Sequence, residues 1–207
     1  LLEPEIFTRT WGERPEGSEP FVEPWWPEAI AQVRRDSPQF LLLGEVYWGY
    51  ESKLQEHGFT YTYDKGLYDR LVHHEGRSLA EYLRAPQTYT SRMAHFLENH
   101  DEQRIASKLS PPEHAAAAII SYLAPGMRFF HNGQREGRRV RVPVHLRRGP
   151  LEENDPTICA LYDKLLPIIN SPAGKSGVWH LLECTTAWAG NSTNGNFVAY
   201  YIEHESG

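Results

Sequence analysis

Cysteine is scarce here, two in 207 residues, which excludes a disulfide framework. No apolar run approaches the roughly 20 residues that a membrane-spanning helix needs. Basic residues show no excess: 21 Lys and Arg face 27 Asp and Glu, a formal net charge of −6. That balance argues against a nucleic-acid partner. The local cluster Arg138-Arg139-Val140-Arg141, with Arg147 and Arg148, reads as a solvated face rather than a phosphate site. A signal peptide is also missing. The chain does not begin with Met, however, so its start reads as a cut end and says little about compartment. Of the two cysteines, Cys159 falls on an apolar helical stripe and reads as a buried thiol. What is present, 40% hydrophobic and 12% aromatic residues, suffices for the core of one ordinary domain.

Apolar runs alternate with helical patterns along the chain. Residues 1–25 are acidic and rich in Pro and Gly and read as loop. Pro27 to Arg34 reads as a helix with Pro in its first turn. Gln39 to Val46 is predicted as a strand buried on both faces, as parallel strands are. Further strands are predicted at Phe59-Thr60-Tyr61, His95 to Asn99 and Met127 to Phe130. Helices are predicted around Gly66–Val72, at Pro112–Leu123 and at Asp155–Ile169, the last bent or ended near Pro167. From Val178 the texture changes to alternating strands with Asn/Gly turns, the opening of an all-β module. This order argues for an α/β fold with parallel strands.

The chemistry concentrates at the ends of two apolar runs. Phe40-Leu41-Leu42-Leu43-Gly44 ends in Glu45, and Phe96-Leu97-Glu98 leads into Asn99-His100-Asp101. Strands that deliver acids at their C-terminal ends point to a two-carboxylate glycosidase. Glu45, partly desolvated by the apolar run, suits proton delivery to a leaving oxygen. It equally reads as a strand-end acid in solvent or in a salt bridge. Tyr47 and Trp48 offer ring faces for stacking on sugars, and equally read as packing. Asp101 and His100 suit sugar hydroxyls, while the plainer reading makes Asp101 a helix N-cap. His73-His74 lacks ligands at metal spacing and reads as surface. Gly133-Gln134-Arg135-Glu136-Gly137 has the wrong spacing for a nucleotide loop and reads as a tight turn after a strand.

In this order the motifs resemble the C-terminal half of the α-amylase family of glycoside hydrolases, a retaining (β/α)8-barrel family. Leu43-Gly44-Glu45 is similar to the end of the fifth barrel strand, and Phe59 to Asp64 to the sixth-strand region. Phe96 to Asp101 resembles the seventh-strand motif, and Pro125 to Gln134 the eighth strand and its turn. The helix with Leu161 to Leu166 resembles the last barrel helix. The resemblance implies strands 5–8 of a TIM barrel over residues 1–175. Residues 176–207 would begin a β-sandwich. It implies Glu45 as general acid/base and Asp101 as transition-state stabiliser. Asn99, His100, Tyr47 and Trp48 would bind substrate. The family's nucleophile, an aspartate in a Gly-x-Arg-x-Asp-like segment, is not found before Glu45, and Leu1 falls about where the chain would resume after it.

The expectation is therefore a truncated enzyme of the family, inactive and poorly stable alone, because a half-barrel bares two edge strands. No cofactor is implied by these residues, and any calcium site of the family would lie in the missing half. The implied partner is an α-glucan or maltooligosaccharide. Hydrolysis, transfer of the glycosyl unit to another acceptor, and sugar binding without turnover all remain open on the sequence.

Overall fold

In a computed structural model the described residues are 25–205, together with Thr8, Gly12, Glu16 and Gly17. The loop expected over residues 1–25 thus lies almost wholly outside them. At Thr8 the backbone is helical, and its carbonyl accepts from the Gly12 N–H. The chain divides into two units, Leu1–Thr62 and Tyr63–Gly207.

The first unit carries α1 (Trp25–Asp36), β1 (Leu43–Gly44), α2 (Glu51–Glu56) and the start of β2 (Tyr61–Tyr63). β1 runs parallel to β2, with Leu43 opposite Tyr61 and Gly44 opposite Thr62. Ile30 of α1 packs with Val46, Leu54 and Phe59 in a small core. Gly44 is needed there, because a Cβ would come 2.9 Å from Leu54 and 3.0 Å from Phe59. The strand predicted over 39–46 is far shorter than expected. Phe40 and Leu41 are 53% and 66% exposed. The Phe40 N–H closes a turn onto the Ser37 carbonyl, which draws this end of the run out of the ladder.

The second unit is built on β3 (Met93–His95) and β4 (Met127–Arg128), which are parallel with Ala94 opposite Met127 and His95 opposite Arg128. The Asp64 N–H donates to the Ala94 carbonyl, so the end of β2 lies beside β3. Both strands stop sooner than predicted. Phe96–Asn99 follow as a buried segment outside the regular ladder, and after β4 come half-buried Phe129 and exposed Phe130. Four helices, α3 (Lys65–Val72), α4 (Gly76–Tyr82), α5 (Gln87–Thr90) and α6 (Ile105–Lys108), join the strands to the long α7 (Pro111–Leu123). The α7 start is tied by Glu113, whose carboxylate accepts from both the N–H and the hydroxyl of Ser110.

After a long irregular stretch comes α8 (Pro156–Asn170), which buries Ile158, Tyr162, Leu165 and Ile169 at helical spacing. Its N-cap is Asp155, accepting from the N–H groups of Thr157 and Ile158. Pro167 does not end it: the carbonyl that proline leaves unbonded is that of Asp163, an exposed residue that water can serve. Cys159 is half-buried, not buried, because it sits at the edge of the apolar stripe. The short α9 (Pro172–Ser176) leads into β5 (Val178–Leu182), antiparallel to β6 (Ala199–Glu203). Trp179, Leu181, Tyr200 and Ile202 of this pair pack on the same core as α7 and α8. His73 and His74 are exposed, and residues 133–138 form the expected tight turn.

That turn holds a group invisible as such in the sequence. Gln134 is buried, and its amide donates to the hydroxyls of Tyr122 and Tyr162, at 2.6 and 2.7 Å. The Tyr162 hydroxyl also lies 2.8 Å from Nε2 of buried His114. Burial holds the His114 imidazole down from 6.5 to about 4. The unfolded chain therefore takes up a proton between these values that the folded one refuses, and stability falls as pH drops through that window. Across the whole window the loss is about 3 kcal/mol. Urea unfolding at pH 7 and pH 5 should show the wild type losing stability and His114→Gln losing markedly less. A second expectation concerns the α8 cap. Asp155→Ala should lower unfolding stability by about 1 kcal/mol and Asp155→Asn by much less.

Candidate active site

Each unit contributes one group of candidate residues. In the first, Glu45 leaves β1 into a turn that feeds α2. Glu45 is exposed, between buried Gly44 and Val46, and lacks the desolvation that its apolar run predicts. The Tyr47 hydroxyl donates to its carboxylate at 2.6 Å. Trp48 sits in the left-handed region (φ 67°) and Gly49 follows at φ 83°, a sharp reversal. The Trp48 ring meets Tyr47 edge-on at 5.9 Å and is 54% exposed.

In the second unit the polar segment begins with Glu98, which has no exposed surface. Its carboxylate accepts from Arg104 Nη1 at 2.6 Å and from the Ile105 N–H at 2.7 Å. The two bonds staple residue 98 to the start of α6 and force the residues between into a loop. Burial pushes the Glu98 carboxyl up, against the opposing pull of the Ile105 N–H and the Arg104 guanidinium. Arg104 also donates to the Asn132 carbonyl at 2.7 Å and approaches His131 Nδ1 at 2.9 Å. One guanidinium thus ties this loop to the turn after β4.

Asn99 shapes the turn itself. It is 1% exposed, and its side-chain oxygen accepts from the N–H groups of Asp101 and Glu102, both at 2.9 Å. It therefore presents its neighbours and offers no open surface of its own. Asp101 is not a helix N-cap, since α6 begins only at Ile105. His100 and Asp101 are exposed, 3.4 Å apart, with Arg141 4.0 Å from the Asp101 carboxylate. The arrangement offers a carboxylate and an imidazole to a neutral, hydroxyl-rich ligand.

A second buried network lies behind this loop. Asp64 accepts from the Tyr82 hydroxyl at 2.5 Å and from the Leu67 N–H, and its other oxygen lies 2.8 Å from His95 Nδ1. His95 Nε2 faces the Pro125 carbonyl at 2.7 Å and must donate to it. Gly126 makes room for this ring: its φ is +140°, and a Cβ would come 2.7 Å from His95 Nε2. Glu98, Arg104, Gln134, Asp64 and His95 are not evident as a set in the sequence. The one available signal, a polar residue at the end of an apolar run, fits Glu98 and not Gln134, which stands among polar residues and glycines.

No family model and no curated protein matches the sequence. Solved structures do match. A noncanonic maltogenic alpha-amylase from Thermotoga neapolitana superposes with a TM-score of 0.65 at 20% identity, over 97% of this chain and 48% of that one. An alpha-amylase from H.orenii gives 0.64 at 19% identity, over 87% and 44%. An alpha-amylase from Geobacillus thermoleovorans, solved with acarbose, gives 0.63 at 23% identity, over 76% and 40%. The chain thus spans less than half the length of these enzymes. It is an α/β chain with parallel strands, and its fold is that of the α-amylase family of glycoside hydrolases.

Proposed function

We propose that this chain is the C-terminal half of a retaining glycosidase that cleaves α-glucosidic bonds in starch-like or maltooligosaccharide substrates. The carrying observation is the Asn99 turn: it exposes His100 and Asp101 at the end of a parallel strand, in a fold shared with α-amylases. In this reading the barrel half is residues 1–175, with strands 5–8, and residues 176–207 open a β-sandwich. Glu45 protonates the glycosidic oxygen while a nucleophile from outside this chain attacks the anomeric carbon. The same Glu45 then activates water to release the glycosyl-enzyme. The Tyr47 hydroxyl, 2.6 Å from that carboxylate, orients it. Asp101 and His100 hold hydroxyls of the sugar being cleaved, more tightly in the transition state than before it. Trp48 offers a stacking face, and Asn99 acts through the turn it closes. Transfer to another sugar uses the same residues and differs only in the acceptor that reaches the intermediate.

In the full-length gene product, Glu45→Gln should reduce turnover of maltooligosaccharides by about 10²–10⁴-fold, with KM changed far less. Turnover near the wild-type rate would remove Glu45 from the mechanism. Product analysis with added maltose separates hydrolysis from transfer. Maltooligosaccharide binding with no turnover in the wild type would leave only a sugar-binding protein.

A further inference from the structure

We infer that His131 is a further substrate-contacting residue, offering its ring Nε2–H as a fixed hydrogen-bond donor to a sugar hydroxyl beside His100 and Asp101. The inference rests on the proposed function and extends its site by one side chain.

Topology places His131 there. β3 and β4 are parallel neighbours with His95 opposite Arg128, so the chain leaves both at the same end. His100 lies five residues beyond His95, and His131 three beyond Arg128. His100 stands close enough to act electrostatically on the His131 ring.

Arg104 sets the chemistry of that ring. Its Nη1 lies 2.9 Å from His131 Nδ1. Nη1 has two hydrogens for three neighbours, the Glu98 carboxylate at 2.6 Å, the Asn132 carbonyl at 2.7 Å and Nδ1, so one hydrogen is shared. A guanidinium has no lone pair to offer, and Nδ1 faces it as an acceptor. An imidazole that accepts at Nδ1 is neutral and carries its proton at Nε2. For the same reason the 3.5 Å approach of Nδ1 to the Glu98 carboxylate is no ion pair. Both atoms are acceptors, and the Arg104 Nη1 lies between their demands, 2.6 Å from the Glu98 oxygen. Burial first, then Arg104 and His100, hold the ring below its ordinary pKa, which agrees with a neutral donor.

The Nδ1 edge is thus engaged against buried groups. The side chain is nonetheless 26% exposed, and its Nε2 is not among the buried atoms left without a partner. Nε2 has no hydrogen-bond partner among the described residues. A fixed donor discriminates for a ligand with an acceptor at that place, and a site built around it rejects a deoxy analogue.

The test uses the full-length gene product with maltotetraose. His131→Phe should raise KM about tenfold, the equivalent of one neutral hydrogen bond, with kcat changed less. His131→Gln, whose amide N–H reaches about as far as Nε2, should stay within about threefold of wild type. The ¹⁵N spectrum of histidine-labelled protein should show His131 neutral with its proton at Nε2, and that nitrogen should shift when maltotetraose is added. A wild-type KM in His131→Phe, a proton at Nδ1, or an unmoved Nε2 resonance would overturn the inference. If Glu45→Gln abolishes turnover while His131→Phe keeps its KM, this inference alone falls. A wild type that neither binds nor cleaves maltotetraose removes the proposed function, and this with it.

Discussion

The second unit turns on one buried carboxylate. Glu98 follows Phe96 and Leu97, both fully packed, and has no exposed surface itself. It is held by Arg104 and the Ile105 N–H. Such a pair adds little net stability over an apolar pair of the same shape, but leaving one partner alone costs about 3–5 kcal/mol. Its consequence is geometric: the chain from 98 to 105 must close on itself, and its middle must lie outside. His100 and Asp101 are that middle.

Arg104 extends the constraint beyond its own loop. It reaches the Asn132 carbonyl, the His131 ring and, at 3.4 Å, the Val140 carbonyl. Three segments that carry little regular structure are thereby fixed to one cation. Asn99 completes the arrangement, because the N–H groups of Asp101 and Glu102 have their acceptor within the loop. The exposed pair is rigid for reasons that lie beneath it.

The sequence reads well where local chemistry decides. Pro111 and the alanine run give α7, and Asp155-Pro156 begins α8, because caps and helix formers act within one turn. It reads poorly where distant partners decide. Phe40 and Leu41 are as apolar as Leu43, yet only Leu43 and Gly44 face residues of β2, so the predicted strand shrinks to two residues. Pro167 lies inside α8 because the exposed side of that helix tolerates an unbonded carbonyl. At the site, Glu45, Asn99, His100 and Asp101 stand out by their position after apolar runs. Glu98 belongs to the same run and carries the loop, but nothing local marks it as buried. Its partner is six residues away, and Gln134 meets its tyrosines across two helices.

The fold shared with α-amylases supplies the frame, and the loop from Glu98 to Ile105 carries the exposed His100 and Asp101 on which the proposed function rests. That loop is best tested by amide hydrogen exchange at Asp101, Glu102 and Ile105, in the wild type and in Glu98→Gln. If the buried pair sets the turn, all three amides lose protection together in the variant, by about tenfold or more, while amides of α8 keep theirs. Unchanged exchange at Asp101 and Glu102 would mean that the turn stands without Glu98, contradicting the account.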